Sequence, residues 1–259
     1  MTSLTSRPKR LAAVIALVVL VATAVGACIG WKTAQKGTAA NEGGALAEFR
    51  AKDIADTAPR AGVPAPGVYR YAVQGDESAG TGPLTAQRSL PAEAVYMITP
   101  VAGGYHEDLR LSEEHVEEAR FRVEPTGSYA TWRRTKITFL GIGEDDRTPV
   151  EPPSLDHPST LKVGATWGGE YRMGDLDTTY TGTVTGKETV SIDGTAVPVF
   201  VIQTKSSFTG STPGTRTDTI RWSQKHSLPL AWTITQKTGG SSDYRIDAQM
   251  TLTSLTPLT

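Results

Sequence analysis

The sequence has one cysteine in 259 residues, Cys28, and a formal net charge of −1. A single cysteine excludes an internal disulfide framework and any cysteine-rich zinc site. The balanced charge gives no electrostatic reason to expect binding to nucleic acid. The motifs Gly-x-Ser-x-Gly and His-Glu-x-x-His and the glycine-rich phosphate loops are also missing. We therefore expect a protein without a metal or cofactor, and the sequence gives no positive indication of an enzyme.

Residues that often carry chemistry are few and scattered. Four histidines have no partner at metal-ligand spacing, and we expect each of them in solvent or in a turn: His106, His115, His157 and His226. Three acidic residues at 144–146 carry the oxygen ligands of a hard cation, but the neighbouring Arg147 favours a solvated turn. Paired carboxylates that meet across strands leave no linear motif, so a hydrolase stays an alternative without support.

One long apolar run is present, at residues 11–30, and it follows a basic cytoplasmic segment at residues 1–10. At 1.5 Å of rise per residue, twenty helical residues span about 30 Å, the thickness of the hydrocarbon core of a bilayer. Trp31 and Lys32 then stand where an interfacial aromatic and a flanking charge belong. The pattern predicts a single-pass signal anchor in the cell membrane at residues 11–31, with the following chain extracytoplasmic.

The four residues that end at Cys28 support a second interpretation of this segment. Val25–Cys28 resembles a bacterial lipobox, whose cysteine is lipidated after the signal is cleaved. The apolar run exceeds the roughly 7 to 15 residues of a signal-peptide core and continues past Cys28, which favours the uncleaved anchor. Ordinary cleavage is a third alternative, and Cys28 as a small apolar residue in a spanning helix is the simplest one. Each alternative leaves the C-terminal part beyond the membrane.

A linker is expected at residues 32–66. Its first part is rich in Gly, Ala, Thr and Lys without periodicity, which is typical of a flexible segment. Residues 45–55 have the composition of a short helix, and the three prolines at 59, 64 and 66 predict an extended lead-in. A single β domain is then expected over residues 67–257.

Alternating polar and apolar residues dominate the β domain. Tyr180 and Val184 fall on one parity and the threonines at 179, 181, 183 and 185 on the other, as a strand with one wet face requires. Asp193-Gly194 is a hairpin signal. We interpret the acidic run at 113–118 as a hairpin tip rather than a helical turn, and the proline-rich residues 141–158 as a long connection.

These patterns predict a mainly β fold. About ten antiparallel strands are expected, in a large curved open sheet or half-barrel, because strongly twisted sheets of this size curl. A two-layer β-sandwich is the alternative.

Several short motifs together are similar to those of a known group of proteins. They are residues 66–71 (Pro-Gly-Val-Tyr-Arg-Tyr), 131–134 (Thr-Trp-Arg-Arg), 139–141 (Phe-Leu-Gly), 163–167 (Val-Gly-Ala-Thr-Trp), 221–223 (Arg-Trp-Ser) and 228–229 (Leu-Pro). In this order they resemble an uncharacterised family of actinobacterial membrane-anchored, exported β proteins. The resemblance covers the anchor and most of residues 67–254, and it implies architecture and location but no activity.

The function expected from these features is binding rather than catalysis. Four tryptophans are candidates to line a ligand groove, although such residues are more often core and rim anchors of a sheet: Trp132, Trp167, Trp222 and Trp232. A curved sheet commonly keeps a hollow, so we expect a non-catalytic cell-envelope protein that binds a lipid or another apolar ligand. A protein-interaction module that uses an exposed sheet edge is the alternative from a different class.

Overall fold

The computed structural model describes residues 35–52, 54, 60–82, 85–139, 141–240 and 242–259. In chain order its elements are β1 (Gln35–Lys36), α1 (Glu42–Ala51), β2 (Gly67–Gly80), β3 (Ala86–Ser89), β4 (Glu93–Val101), β5 (Gly104–Ser112), β6 (His115–Glu124), β7 (Gly127–Phe139), β8 (Ile142–Pro158), β9 (Thr166–Met173), β10 (Leu176–Ile192), β11 (Thr195–Thr209), β12 (Gly214–Ser223), β13 (Leu228–Thr238) and β14 (Asp243–Leu252). The prediction of a mainly antiparallel β protein is confirmed.

Twelve of the strands form a closed antiparallel barrel. The strands from β4 to β14 pair in sequence order, and the ring closes because β2 pairs with β14 on one edge and with β4 on the other. The fourteen residues of β2 make this possible, since residues 67–72 pair with β4 while residues 76–79 pair with β3. The expected open sheet or half-barrel is therefore replaced by a closed one.

The proline-rich segment at 141–158 is a strand, and its interpretation as a long connection is wrong. Residues 142–158 form β8, which pairs with β7 through two register shifts. On its other edge β8 meets β9 at one residue pair, Glu151 opposite Arg172. Prolines lack a backbone donor and are tolerated where a strand edge is not fully paired. This explains why β8 accommodates several prolines.

Two local predictions about turns are confirmed. Asp193 and Gly194 connect β10 to β11 with φ values of 49° and 74°, as a two-residue hairpin turn requires. The acidic run at 113–118 begins at the turn between β5 and β6 and continues along β6, so it belongs to a hairpin. The short helix of the linker is present as α1, three residues earlier than the sequence indicated.

The barrel is packed with apolar side chains in one part of its interior. The largest fully buried side chains of the main cluster include Tyr71, Leu230, Ile234, Ile246 and Met250. At ~25 cal/mol for each Å² removed from water, residues of this size supply most of the stabilisation of the barrel. The helix α1 forms a second cluster, in which Ala45 and Phe49 pack against β2 and β4.

The predicted cytoplasmic segment and signal anchor, with Cys28, lie outside the described residues. Among the residues that are described, no helix is long and apolar enough to cross a membrane.

Candidate functional site

An ion pair crosses the interior of the barrel. Arg216 on β12 donates to both carboxylate oxygens of Glu117 on β6, with N–O distances of 2.9 and 3.1 Å. Arg216 also bonds Asp218 on its own strand, and the indole of Trp232 donates to the same aspartate at 2.9 Å. Side-chain exposure of Glu117 and Arg216 is 16% each. The four groups form one hydrogen-bonded network inside the barrel.

His115 extends this network to a third strand. Its Nδ1 lies 3.0 Å from Glu77 on β2 and its Nε2 lies 3.3 Å from Glu117. Burial alone would lower the pKa of His115, but the hydrogen bonds and charges of Glu117 and Glu77 outweigh it and raise the pKa to about 9. The imidazole is therefore a buried cation between two carboxylates.

The expectation of histidines in solvent or in turns is therefore wrong for three of the four, since His106 also lies within β5, paired with Glu118 and with its side chain 16% exposed. His115 and His157 are 1% and 6% exposed. His157 packs its ring against Trp222 at 4.4 Å between centroids and bonds Asp156 through Nδ1 at 2.8 Å. Sequence spacing cannot reveal such partners, because Glu77 and His115 are 38 residues apart and meet only when the barrel closes.

A second group of polar side chains stands beside this network. Glu107 on β5, Ala119 on β6 and Arg133 on β7 are directly opposite one another in the register of the three strands. Ala119 belongs to the interior core, so Glu107 and Arg133 also project inward. The small Ala119 thus separates an acidic and a basic side chain on neighbouring strands.

We use the name polar chamber for the interior region lined by Glu107, Glu117, Arg133, Asp156, Tyr171 and Arg216. Burial would lower the pKa of Arg133, but Tyr171, Asp156 and Glu107 raise it and only Arg216 acts with burial, which places these side chains near one another. None of the six lining side chains is fully buried, and the side chain of Asp156 is 32% exposed although burial has the largest effect on its pKa. These side chains keep accessible surface, so the polar part of the interior is filled less completely than the apolar core.

Arg133 is the unusual member of the chamber. Its Nε is buried without a hydrogen-bond partner, and no described residue forms an ion pair with its guanidinium. On β10, the hydroxyl of Thr178 is also buried without a partner, and Thr178 is directly opposite Tyr171 of the chamber. Buried polar groups are normally hydrogen-bonded, so each of these exceptions indicates water or a ligand at that position.

The two carboxyl groups nearest Arg133 differ in acidity. Burial raises the pKa of Glu107 to about 7, and Tyr96 donates a hydrogen bond to this carboxyl group. Burial alone would raise the pKa of Asp156. The hydrogen bond and the charge of His157 outweigh burial and lower this pKa. Near neutral pH, Glu107 is thus partly protonated while Asp156 is ionised. A protonated and an ionised carboxyl group in one chamber can donate and accept hydrogen bonds respectively.

The barrel wall beside the chamber is incompletely paired. The strands β8 and β9 carry Asp156 and Tyr171, and they share one residue pair. Inward-facing residues near the same end of the barrel, such as Thr135 opposite Glu117, are exposed. This seam and this end are where the barrel wall near the chamber is least closed.

The four tryptophans do not line one common groove. Trp167 and Trp222 share an interior cluster, and the indole of Trp167 donates to the backbone oxygen of Asp156 at 2.9 Å. Trp232 packs against the main core near the ion-pair network. Trp132 stands opposite Arg120, which covers its ring, and it contacts His106 edge-on. Whether any of them contacts a ligand stays a prediction.

Sequence reasoning missed the residues of the polar chamber. They come from β5, β6, β7, β8, β9 and β12, and no two adjacent strands contribute a recognisable motif. One signal was present: Glu107 stands on the apolar parity of β5, between Tyr105 and Leu109. The acidic residues at 144–146 do not form a cation site with the described residues, because Asp145 is bonded by Arg134 and Arg147 and no metal-binding group of His, Cys, Asp or Glu is found among the residues described.

Comparison with known proteins adds no relative. No family model, curated protein or solved structure matches the chain.

Proposed function

We propose that the chain is a non-catalytic binding protein of the cell envelope, which holds a small polar ligand in the polar chamber of its barrel. The observation that carries the proposal is the guanidinium of Arg133, which lies in the interior without a hydrogen-bond or ion-pair partner among the described residues. An unpaired charge in a protein interior costs free energy, and a ligand that pairs with it recovers that cost on binding.

The location belongs to the same proposal. The apolar run at residues 11–31 and the basic residues before it support an anchor in the cell membrane, with the barrel on the extracytoplasmic side. The lipid or apolar ligand expected from the sequence has less support than a polar one, because the apolar part of the interior is filled by the side chains of the chain itself. We therefore place the proposed ligand in the polar part of the barrel interior.

Native mass spectrometry of the full chain purified from its own membranes tests the proposal. Ser206 and Ser207 on β11 provide a matched pair, since Ser206 is opposite Arg216 in the interior and Ser207 is exposed on the outer face. We expect a bound small molecule in the wild type and in Ser207→Trp, and its loss in Ser206→Trp. Circular dichroism and thermal unfolding verify that both variants fold. A bound molecule retained by a folded Ser206→Trp, or none in any sample, contradicts the proposal.

One observation favours an acid–base enzyme as a second candidate. Glu107 and Asp156 have pKa values shifted in opposite directions near Arg133, as expected for a general acid and a base. The ligand recovered from Glu107→Gln separates the two functions. A binding protein releases the same molecule from the wild type and the variant, whereas an enzyme accumulates uncleaved substrate in the variant only.

The interaction-module alternative is supported by the seam between β8 and β9. Outside the pair Glu151–Arg172, these two strands do not pair, and a partially unpaired edge accepts an added strand. A protein partner that co-purifies with the wild type and is lost in Thr166→Pro on β9 favours this alternative.

A further inference from the structure

The charged groups of the polar chamber differ in whether they have a partner. Arg216 bonds Glu117 and Asp218, Asp156 bonds His157, and Glu107 accepts a hydrogen bond from Tyr96. Among the described residues that line the chamber, the uncommitted charge is the guanidinium of Arg133. It is positive, so a ligand that completes the chamber brings a negative group.

We propose, resting on the binding function above, that the polar chamber takes a ligand with a single carboxylate group, which Arg133 binds. The guanidinium is planar and presents its N–H donors in a fork that matches the two oxygens of a carboxylate. Such paired hydrogen bonds are short and charge-assisted, and they fix the orientation of the ligand as well as its charge.

The surroundings of Arg133 favour a monoanion over a phosphate or sulfate. The ionised Asp156 and the partly protonated Glu107 both act on Arg133, and they repel a doubly charged ligand more strongly than a singly charged one. Arg216 does not offset this repulsion, because Glu117 and Asp218 already neutralise it. A ligand with one negative charge therefore meets less repulsion beside Arg133 than a ligand with two.

The neighbouring strand β10 offers the ligand a neutral polar contact. The hydroxyl of Thr178 on β10 is buried and unpartnered, and it can donate or accept a hydrogen bond. Its cross-strand neighbour Tyr171 acts on Arg133 as well. The favoured ligand is consequently a carboxylic acid that carries a polar group at its other end, rather than a fatty acid.

Titration of the arginine Nε–H signals by NMR tests this inference with defined probes. The full chain is held in lipid nanodiscs, and sodium acetate and sodium benzoate are added at constant ionic strength. Sodium sulfate is the doubly charged control. Acetamide is the uncharged control, with nearly the same shape as acetate. We expect a saturable shift of the Arg133 signal with both carboxylates and none with sulfate or acetamide. In Arg133→Gln, the acetate-induced shifts of the other signals from the chamber should need about tenfold more acetate than in the wild type.

Two variants complete the experiment. Arg133→Lys keeps the charge but not the fork, so it should bind acetate more weakly than the wild type. Arg120→Gln removes an arginine whose guanidinium covers Trp132 and should leave binding unchanged. Equal shifts with acetamide and acetate, or equal acetate binding by Arg133→Gln and the wild type, overturn the inference. If the molecule found by native mass spectrometry is lost in Ser206→Trp but retained in Arg133→Gln, the binding function stands and the carboxylate assignment fails.

Discussion

Glu117 and Arg216 form an ion pair at 2.9 Å although β6 and β12 lie opposite each other in the ring, six positions apart in either direction. The pair therefore holds the two walls of the barrel together across its interior. Main-core side chains such as Ile234 and Ala248 fill the apolar part, while Arg133 and Asp156 line the polar chamber. The interior of the barrel is thus divided between an apolar core and a polar region.

Two arginines of the interior should respond unequally to the same substitution. Arg216→Met removes one partner of a buried network and should lower the free energy of unfolding by about 3–5 kcal/mol. Arg133→Met removes a guanidinium that lies near Asp156 and Glu107 but has no hydrogen-bond or ion-pair partner among the described residues, so the loss should be clearly smaller, about 1 kcal/mol. Urea denaturation followed by tryptophan fluorescence measures both. Equal destabilisation by the two substitutions would show that Arg133 has a partner.

Stability should decrease from neutral to alkaline pH because of His115. Its pKa is raised from 6.5 to about 9, so its contribution is complete below pH 6.5 and disappears as the pH rises through 9. The groups around the imidazole are Glu77 and Glu117, with Tyr244 at its face. A shift of this size corresponds to a loss of at most about 3 kcal/mol.

The matched control for this pH dependence is His226, which is half-buried and has a lowered pKa. The unfolding free energy is measured by urea denaturation between pH 6 and 9.5. His115→Gln should flatten the profile, whereas His226→Gln should keep the slope of the wild type. A wild-type profile that is flat over this range would contradict a buried imidazolium.

The contribution of Glu117 to stability changes with pH in the opposite direction to that of His115. Burial would raise the pKa of Glu117, but the charge of Arg216 and the hydrogen bond from His115 lower it. Its contribution is therefore present above pH 4.5 and is lost as the pH falls through the lowered pKa. Glu117→Gln should lower the unfolding free energy at pH 6 more than at pH 2. Equal losses at both pH values would assign the effect of Glu117 to packing rather than charge.

The sequence predicted the strands better than the way they close. The alternation in β14 and the turn at Asp193-Gly194 are local features, and both are found in the structure. Closure depends on β2 pairing with β14 and β4 at once, a relation between residues far apart that periodicity does not contain. The prolines of β8 led to the wrong prediction of a long connection. A strand with one nearly unpaired edge tolerates proline, whereas a central strand does not.

The polar chamber was beyond sequence reasoning for a related reason. Composition treats Glu107, Arg133 and Asp156 as ordinary surface charges, since such residues are seldom buried. Their inward positions follow from register and from the bulges of β7 and β8, which turn Asp156 toward the interior. The available signal was a charged residue at an otherwise apolar, inward-facing position of a strand. Such a residue indicates a site only when several strands each carry one.

Protease added to intact cells should digest the barrel while an N-terminal tag stays protected. In the proposed topology, the basic residues before the apolar run at 11–30 would keep the N-terminus in the cytoplasm and leave the chain after Lys32 exposed to the protease. Immunoblotting with antibodies to the tag and to the barrel measures both. A soluble cytoplasmic pool of the intact chain would refute the assignment. Mass spectrometry of residue Cys28 separates a lipoprotein from a signal anchor.

Accessibility of single cysteines tests the existence of the polar chamber most directly. In a Cys28→Ser background, Ser206→Cys places a thiol in the chamber and Ala248→Cys places one in the apolar core, while Ser207→Cys marks the outer face. Each folded variant is treated with a small methanethiosulfonate, and the modified fraction is followed by mass spectrometry. We predict that residues 206 and 207 are modified without denaturant, and that residue 248 is modified only on unfolding. A thiol at 206 that is as unreactive as the one at 248 would contradict an interior open to ligand.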